Sequence, residues 1–130
     1  MFVPSAPRHV DVLTYVFTAV FAYGTAVHLV QLVGGGSDPY PGVPVTIASF
    51  FVVLVVLDPL AAVLFARRRR VGLVFGAAIL FLDAAANAVV NYPPHGQAEG
   101  VTSGRVGQAV VTVLAVLLVF ATPRLWRWYR

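Results

Sequence analysis

The sequence predicts an all-α, polytopic membrane protein: one bundle of four transmembrane helices forming a single domain over residues 1–130. Three observations carry that expectation. Of the 130 residues, 59% are hydrophobic and only 11% charged, and the mean hydropathy is +0.85. The apolar residues gather into four runs, each long enough to cross a bilayer. The basic residues, nine arginines and no lysine, lie almost wholly in the segments that join and flank those runs. Soluble domains carry roughly 25% charged residues, so this balance belongs to a chain that meets lipid. A pI near 10.1 would point to nucleic acid in a soluble protein. Here the basic residues serve topology, and no nucleic-acid partner is expected. The absence of cysteine excludes disulfides, thiol redox chemistry and thiolate metal ligation.

A hydrocarbon core of about 30 Å needs roughly 20 apolar residues at 1.5 Å each. Residues 12–33 are the first such run. They follow a basic residue, as a signal peptide would, but the run is too long and no small-x-small cleavage pattern precedes GGGS, so it reads as a retained span. The connection GGGSDPYPGVP is dense in glycine and proline and breaks the helix. The second run, 45–66, contains LDPL, with Pro59 directly after Asp58. Proline lacks the N–H donor and crowds the carbonyl four residues back, that of Val55, so a kink is expected beside the carboxylate. The RRRR turn leads to the third run, 71–92, and the polar PPHGQAEGVTSG leads to the fourth, 107–125. The closing LWRWYR places Trp126, Trp128 and Tyr129 where the headgroup layer suits them.

Eight of the nine arginines, Arg8, Arg67–Arg70, Arg124, Arg127 and Arg130, fall on one side of these spans, and only Arg105 falls on the other. By the positive-inside rule both termini are cytoplasmic. The Ala-, Val- and Arg-rich, lysine-free composition suggests a high-GC bacterial source and hence a bacterial plasma membrane. No internal repeat is visible, so symmetry does not support an inverted-repeat transporter.

The stretch FLDAAANAVVNY sets Asp83, Asn87 and Asn91 at helical spacing within an apolar run. Gly72 and Gly76 share that face, so close helix approach and polarity coincide. Thr14, Thr18, Thr25 and His28 make the matching stripe on the first run. Phe51, Val55, Asp58, Ala62 and Phe65 make it on the second, and Gln108, Thr112, Ala115 and Thr122 on the fourth. Asparagines alone read as interhelical hydrogen-bond glue, since such bonds contribute about 1 kcal/mol. Two intramembrane carboxyls weigh the other way, because inserting an aspartate costs about 3 kcal/mol. No arginine or lysine within the spans neutralises either of them. The expected states are a neutral acid, or an aspartate paired with protonated His28 or a bound cation. Counting rise along each span puts Asp58 at roughly 12 Å from the cytoplasmic end, Asp83 at roughly 18 Å, and His28 and Asn87 at roughly 24 Å. The candidate catalytic residues are therefore Asp83, Asp58 and His28. The candidate ligand contacts are Asn87, Asn91, Thr25, Tyr92, Phe51, Gln108 and Thr112, in a cavity expected to open toward the outer leaflet.

A zinc site wants three or four ligands at one level, and one histidine with two aspartates at different heights does not supply it. A single deep histidine is weak grounds for haem. No phosphate loop or nucleophile elbow is present. Neither a metal nor an organic cofactor is expected. Three readings stand. The first is an acid–base enzyme, an isomerase or cyclase that protonates a carbon–carbon double bond of a lipophilic substrate. The second is a proton-coupled transporter or a binder of cationic amphiphiles. The third is a structural subunit of a larger membrane complex. The expected partners are the membrane and a lipophilic small molecule or lipid, the latter belonging to the first two readings, and oligomer formation is left open.

The His-bearing first span, the proline-rich SDPYPGVP connection and the proline-interrupted second span with its basic turn, FFVVLVVLDPLAAVLFARRRR, resemble the EXPERA superfamily of sterol isomerases and related amphiphile-binding receptors. The resemblance covers residues 12–125 and implies a helical bundle with an isoprenoid- or sterol-like ligand in its core. The paired His and Glu that the isomerases carry on their second helix are absent here, so no catalytic residue follows from it.

Overall fold

A computed structural model describes residues 5–130, and it is all-helical: α1 (Arg8–Gly34), α2 (Val45–Ala66), α3 (Arg70–Asn91) and α4 (Ser103–Trp126). Each helix is long and apolar enough to cross a membrane, so the chain is an integral membrane protein built as a four-helix bundle. Two helices are longer than their apolar runs. α1 begins right after Pro7 and takes in Arg8 and Asp11, because a carboxylate in the first turn suits the helix dipole and Asp11 forms an ion pair with Arg68. α4 begins after Thr102, whose hydroxyl accepts a hydrogen bond from the Arg105 N–H at 3.2 Å, a side-chain N-cap. α2 continues through Pro59, and α3 stops before the Pro93–Pro94 pair, which cannot extend it.

Neighbours in sequence are neighbours in space. α1 packs on α2, α3 packs on α4, and α2 against α3 joins the two pairs, whereas α1 and α4 scarcely touch. The inward stripe of α1 is Val10, Thr14, Phe17, Phe21 and His28, and that of α2 is Phe51, Leu54, Asp58, Ala61 and Phe65. This alternation by three and four is the seam of left-handed helix packing. Leu54 and Ala61 occupy the places that the sequence pattern assigned to Val55 and Ala62, which are only half-buried. α3 approaches α2 closely where it lacks side chains. A Cβ on Gly72 would lie 2.8 Å from that of Leu64, and one on Gly76 would lie 2.8 Å from the Phe65 ring and 2.9 Å from Phe21. The outward faces carry Val, Leu, Tyr and Phe exposed to the lipid.

One end of the bundle holds the start of α1, the C-terminus and the α2–α3 turn, and it is sealed. The Arg130 N–H donates to Arg68 O and the Arg70 N–H donates to Arg130 O, both at 2.8 Å, so the chain end is tied to the turn. Tyr129, at the end of the chain where the sequence places aromatic residues at headgroup level, is turned inward rather than outward. It is buried against Phe65, with its hydroxyl 2.8 Å from that of Thr14. Phe17, Phe21 and Phe65 pack above it, with ring centroids 5.4–5.7 Å apart. Trp126 stays half-exposed, with the Arg70 guanidinium over its ring. The opposite end carries the two longer connections, and between it and the aromatic floor lies the site.

Candidate acidic pocket within the bundle

Three helices deliver one ionisable group each to a common point. His28 Nε2 lies 4.0 Å from Asp58 Oδ2 and 3.9 Å from Asp83 Oδ2, and all three residues are buried. Counting rise along the helices had separated these groups by several ångströms. Side-chain direction closes that gap, because Cα–Cβ bonds tilt toward the N-terminus of their own helix. His28 and Asp83 lie on helices that run away from the sealed end, so they lean back toward it. Asp58 lies on the helix that runs toward it, so it leans up to meet them.

Gly24 makes the room. A Cβ there would sit 2.7 Å from Asp58 Oδ2, so only glycine lets the carboxyl stand against α1. On α3, Asn87 Nδ2 donates to Asp83 Oδ1 at 2.8 Å and to the Asp83 carbonyl at 2.9 Å. Asn91 in turn donates to the Asn87 carbonyl at 2.8 Å. The asparagines therefore form a ladder along one helix, with the Asn87 amide donating twice and the Asn91 amide once within it. Gly104 of α4 completes the top, since a Cβ there would come 1.9 Å from Asn91 Oδ1.

Above the cluster is a cavity of about 500 Å³, a size that holds a small organic ligand. Asp58, His28, Asp83, Asn87, Asn91 and Phe51 all line it. Most of the remaining wall is valine, leucine and aromatic carbon. Thr25, Tyr92, Gln108 and Thr112 are not part of this lining. The Thr25 hydroxyl bonds the Phe21 carbonyl, and Gln108 and Thr112 bond each other. Tyr92 lies under the Arg105 guanidinium, 4.4 Å from its ring centroid. Arg105 itself ties the α3–α4 connection together through Asn91 O, Gly100 O and Ala98 O.

The sequence pattern passed over Tyr40. It sits in the α1–α2 connection, outside any helical stripe, yet it lines the cavity and packs on Phe51, which stacks on the His28 ring with centroids 5.9 Å apart and planes at 19°. Its hydroxyl is buried without a partner, as is His28 Nδ1. Burial, followed by the nearby Asp83 charge, pushes the Tyr40 phenol above its ordinary value, which keeps it a neutral O–H. The only sequence signal for it was its place in SDPYPGVP, a connection rich enough in proline to be fixed.

Among the described residues, no cluster of three or more His, Cys, Asp or Glu side chains is arranged to hold a metal ion. Fold and site together define a four-helix integral membrane protein with a buried carboxyl–imidazole–carboxyl cluster at the base of a largely apolar pocket. The chain matches no protein family, no curated protein and no solved structure.

Proposed function

We propose that the bundle takes a lipophilic small molecule, isoprenoid- or sterol-like in character, into this pocket and performs acid–base chemistry on it without a cofactor. The observation that carries the reading is the convergence of Asp58, His28 and Asp83 on one point at the closed base of an apolar cavity. Glue between helices needs no such convergence, since each asparagine already bonds within its own helix.

In this reading the Asn87 amide fixes Asp83 Oδ1 as an acceptor, so the acidic proton resides on Oδ2, the atom that faces His28. Asp83 Oδ2–H protonates one carbon of a substrate double bond, leaving a cation on the other carbon. Asp58 or His28 removes a proton from the adjacent carbon, and the double bond re-forms one position along. Transfer of that proton through His28 back to Asp83 restores the starting state, so atoms and charge balance. The Phe51 ring, beside His28, supplies a π-face for the transient cation.

A binding reading has its own support: two carboxyls face one imidazole with no arginine or lysine near them, which suits a cationic amphiphile. The packed floor of Phe17, Phe21, Phe65 and Tyr129 favours either of these over a route through the bundle. The arginine asymmetry supports cytoplasmic termini, and the Ala-, Val- and Arg-rich composition supports a bacterial plasma membrane; in that orientation the pocket falls in the outer half of the bilayer.

Mass spectrometry of the lipids that co-purify with wild-type and Asp83→Asn protein tests the proposal. One enriched isoprenoid- or sterol-like species that the variant loses supports it. Bulk phospholipid alone in both samples defeats it.

A further inference from the structure

The pocket has walls on α2 and α3, but between α1 and α4 it has a gap. These two helices scarcely touch anywhere, yet both contribute lining: Tyr23 and Val27 from α1 face Gly107, Val110 and Val111 from α4. Tyr23 is 73% and Val110 52% exposed although both border the cavity, so the cavity continues to the outer surface of the bundle at this seam. A Cβ on Gly107 would meet nothing within 4 Å, whereas Gly24 and Gly104, which also line the pocket, are filled against by Asp58 and Asn91. The surface at the seam is the side of two membrane spans, which faces hydrocarbon. Over the opposite direction, the α1–α2 connection is packed down, with Tyr40 seated on Phe51.

From this geometry we infer that the α1–α4 seam is a chain-binding slot opening sideways into the bilayer, and that the ligand is a linear amphiphile bound polar end first. Its polar terminus rests on the Asp58–His28–Asp83 cluster, and its chain leaves between Tyr23 and Gly107 into lipid. The inference rests on the reading that the pocket holds a lipophilic ligand, and it narrows the ligand class: a chain longer than the cavity is accepted because its excess stays in the membrane, while a rigid body that must be wholly enclosed is not required. A slot of this kind also fits the lining at the seam, where the mouth is valine, tyrosine and glycine while the ionisable Asp58, His28 and Asp83 lie buried inward of it.

The test uses the full chain in nanodiscs with straight-chain alcohols and amines of increasing length, each carrying a mid-chain diazirine, and maps the photo-adducts by peptide mass spectrometry. Adducts are expected on Tyr23, Val110 and Val111, saturable and undiminished as the chain lengthens. Gly107→Trp fills the mouth and is expected to lower pocket labelling about tenfold, a change near 1.4 kcal/mol in binding. Tyr23→Ala widens the mouth and is expected to raise the labelling rate, an outcome that a folding defect would not give. Gly34→Trp, which also meets open space but lies outside the lining, serves as the control and is expected to leave labelling unchanged. Saturable labelling beside Asp83 that falls with chain length, or that ignores both Gly107→Trp and Tyr23→Ala, overturns the slot and leaves the ligand reading standing. Absence of saturable labelling anywhere in the wild-type pocket overturns both.

Discussion

Asn87 reaches back one turn and donates its amide to Asp83 twice, to carboxyl Oδ1 at 2.8 Å and to the carbonyl at 2.9 Å. That pair separates structure from chemistry at the centre of α3. Asn at position 83 keeps an Oδ1 acceptor for Asn87 and nearly the same shape, so Asp83→Asn is expected to cost about 1 kcal/mol or less of stability. It cannot donate a full proton or carry charge. The variant should therefore remain monodisperse in detergent and lose turnover or ligand retention. Asp58→Asn should follow with a smaller loss, since Asp58 lacks an Asn partner to fix its proton. Wild-type activity in Asp83→Asn would make this acid structural.

Gly24 is the quiet member of the site. Its hydrogen stands where a methyl would lie 2.7 Å from Asp58 Oδ2 and 3.3 Å from the carboxyl carbon. Gly24→Ala should drive the carboxyl off its position beside His28 and destabilise the bundle by about 1–3 kcal/mol, as overpacking does. Gly34→Ala has open space and should be silent. Thermal unfolding of both variants in one detergent compares them directly. Equal midpoints would mean that the α1–α2 contact is looser than described.

These two residues show what was legible beforehand. Asp58 and Asp83 announced themselves, because a carboxyl inside an apolar run is costly and helical periodicity gives its face. The four spans were equally plain, since length and hydropathy alone define them. Gly24 was not marked, because a glycine among small residues gives no sign of which side chain will press on it. The meeting of His28 with both acids was hidden for a related reason: rise per residue fixes where a backbone lies, and the lean of each side chain then moves its polar atoms by several ångströms. Thr25, Gln108 and Thr112 were placed near the ligand because they share polar stripes. Hydroxyls and amides in helices often satisfy themselves against their own helix, as these do, and periodicity cannot tell the two uses apart.

Tyr40 and Tyr129 are both buried phenols, with opposite partners. The Tyr129 hydroxyl pairs with Thr14, so Tyr129→Phe should cost about 1 kcal/mol and loosen the sealed end. The Tyr40 hydroxyl has no partner, so Tyr40→Phe should be neutral or stabilising in the empty protein while weakening retention of any ligand that bonds it. Both phenols are pushed above 10.0, Tyr40 by burial and then by the Asp83 charge, Tyr129 by burial despite Thr14 and Arg68 acting the other way. The unfolded chain then loses these protons first as pH rises. Their contribution is intact below about pH 10 and is lost as pH climbs toward the folded values. Melting measured from neutral to strongly alkaline pH should decline in the wild type and decline less in Tyr40→Phe. An unchanged slope would mean that Tyr40 titrates as an exposed phenol.

The orientation of the bundle can be read with single cysteines, since the chain has none of its own. Gly36 and Ala98 lie exposed on the two connections at one end, and Arg69 lies exposed in the turn at the other. A membrane-impermeant maleimide added to intact cells should label Gly36→Cys and Ala98→Cys, and should reach Arg69→Cys only after the membrane is opened. The expectation follows from eight arginines gathered at the end that bears Arg69 against one at the other, an imbalance that favours retention of that end in the cytoplasm. It matters for the chemistry because the pocket occupies the half of the bundle away from Arg69, where Gln31, Tyr40 and Asn91 line it. With this orientation, the α1–α4 opening draws from the outer leaflet, and protons exchanged by the Asp58–His28–Asp83 cluster come from the external side. Labelling of Arg69→Cys in intact cells would invert the bundle and place both the opening and the proton supply on the cytoplasmic side.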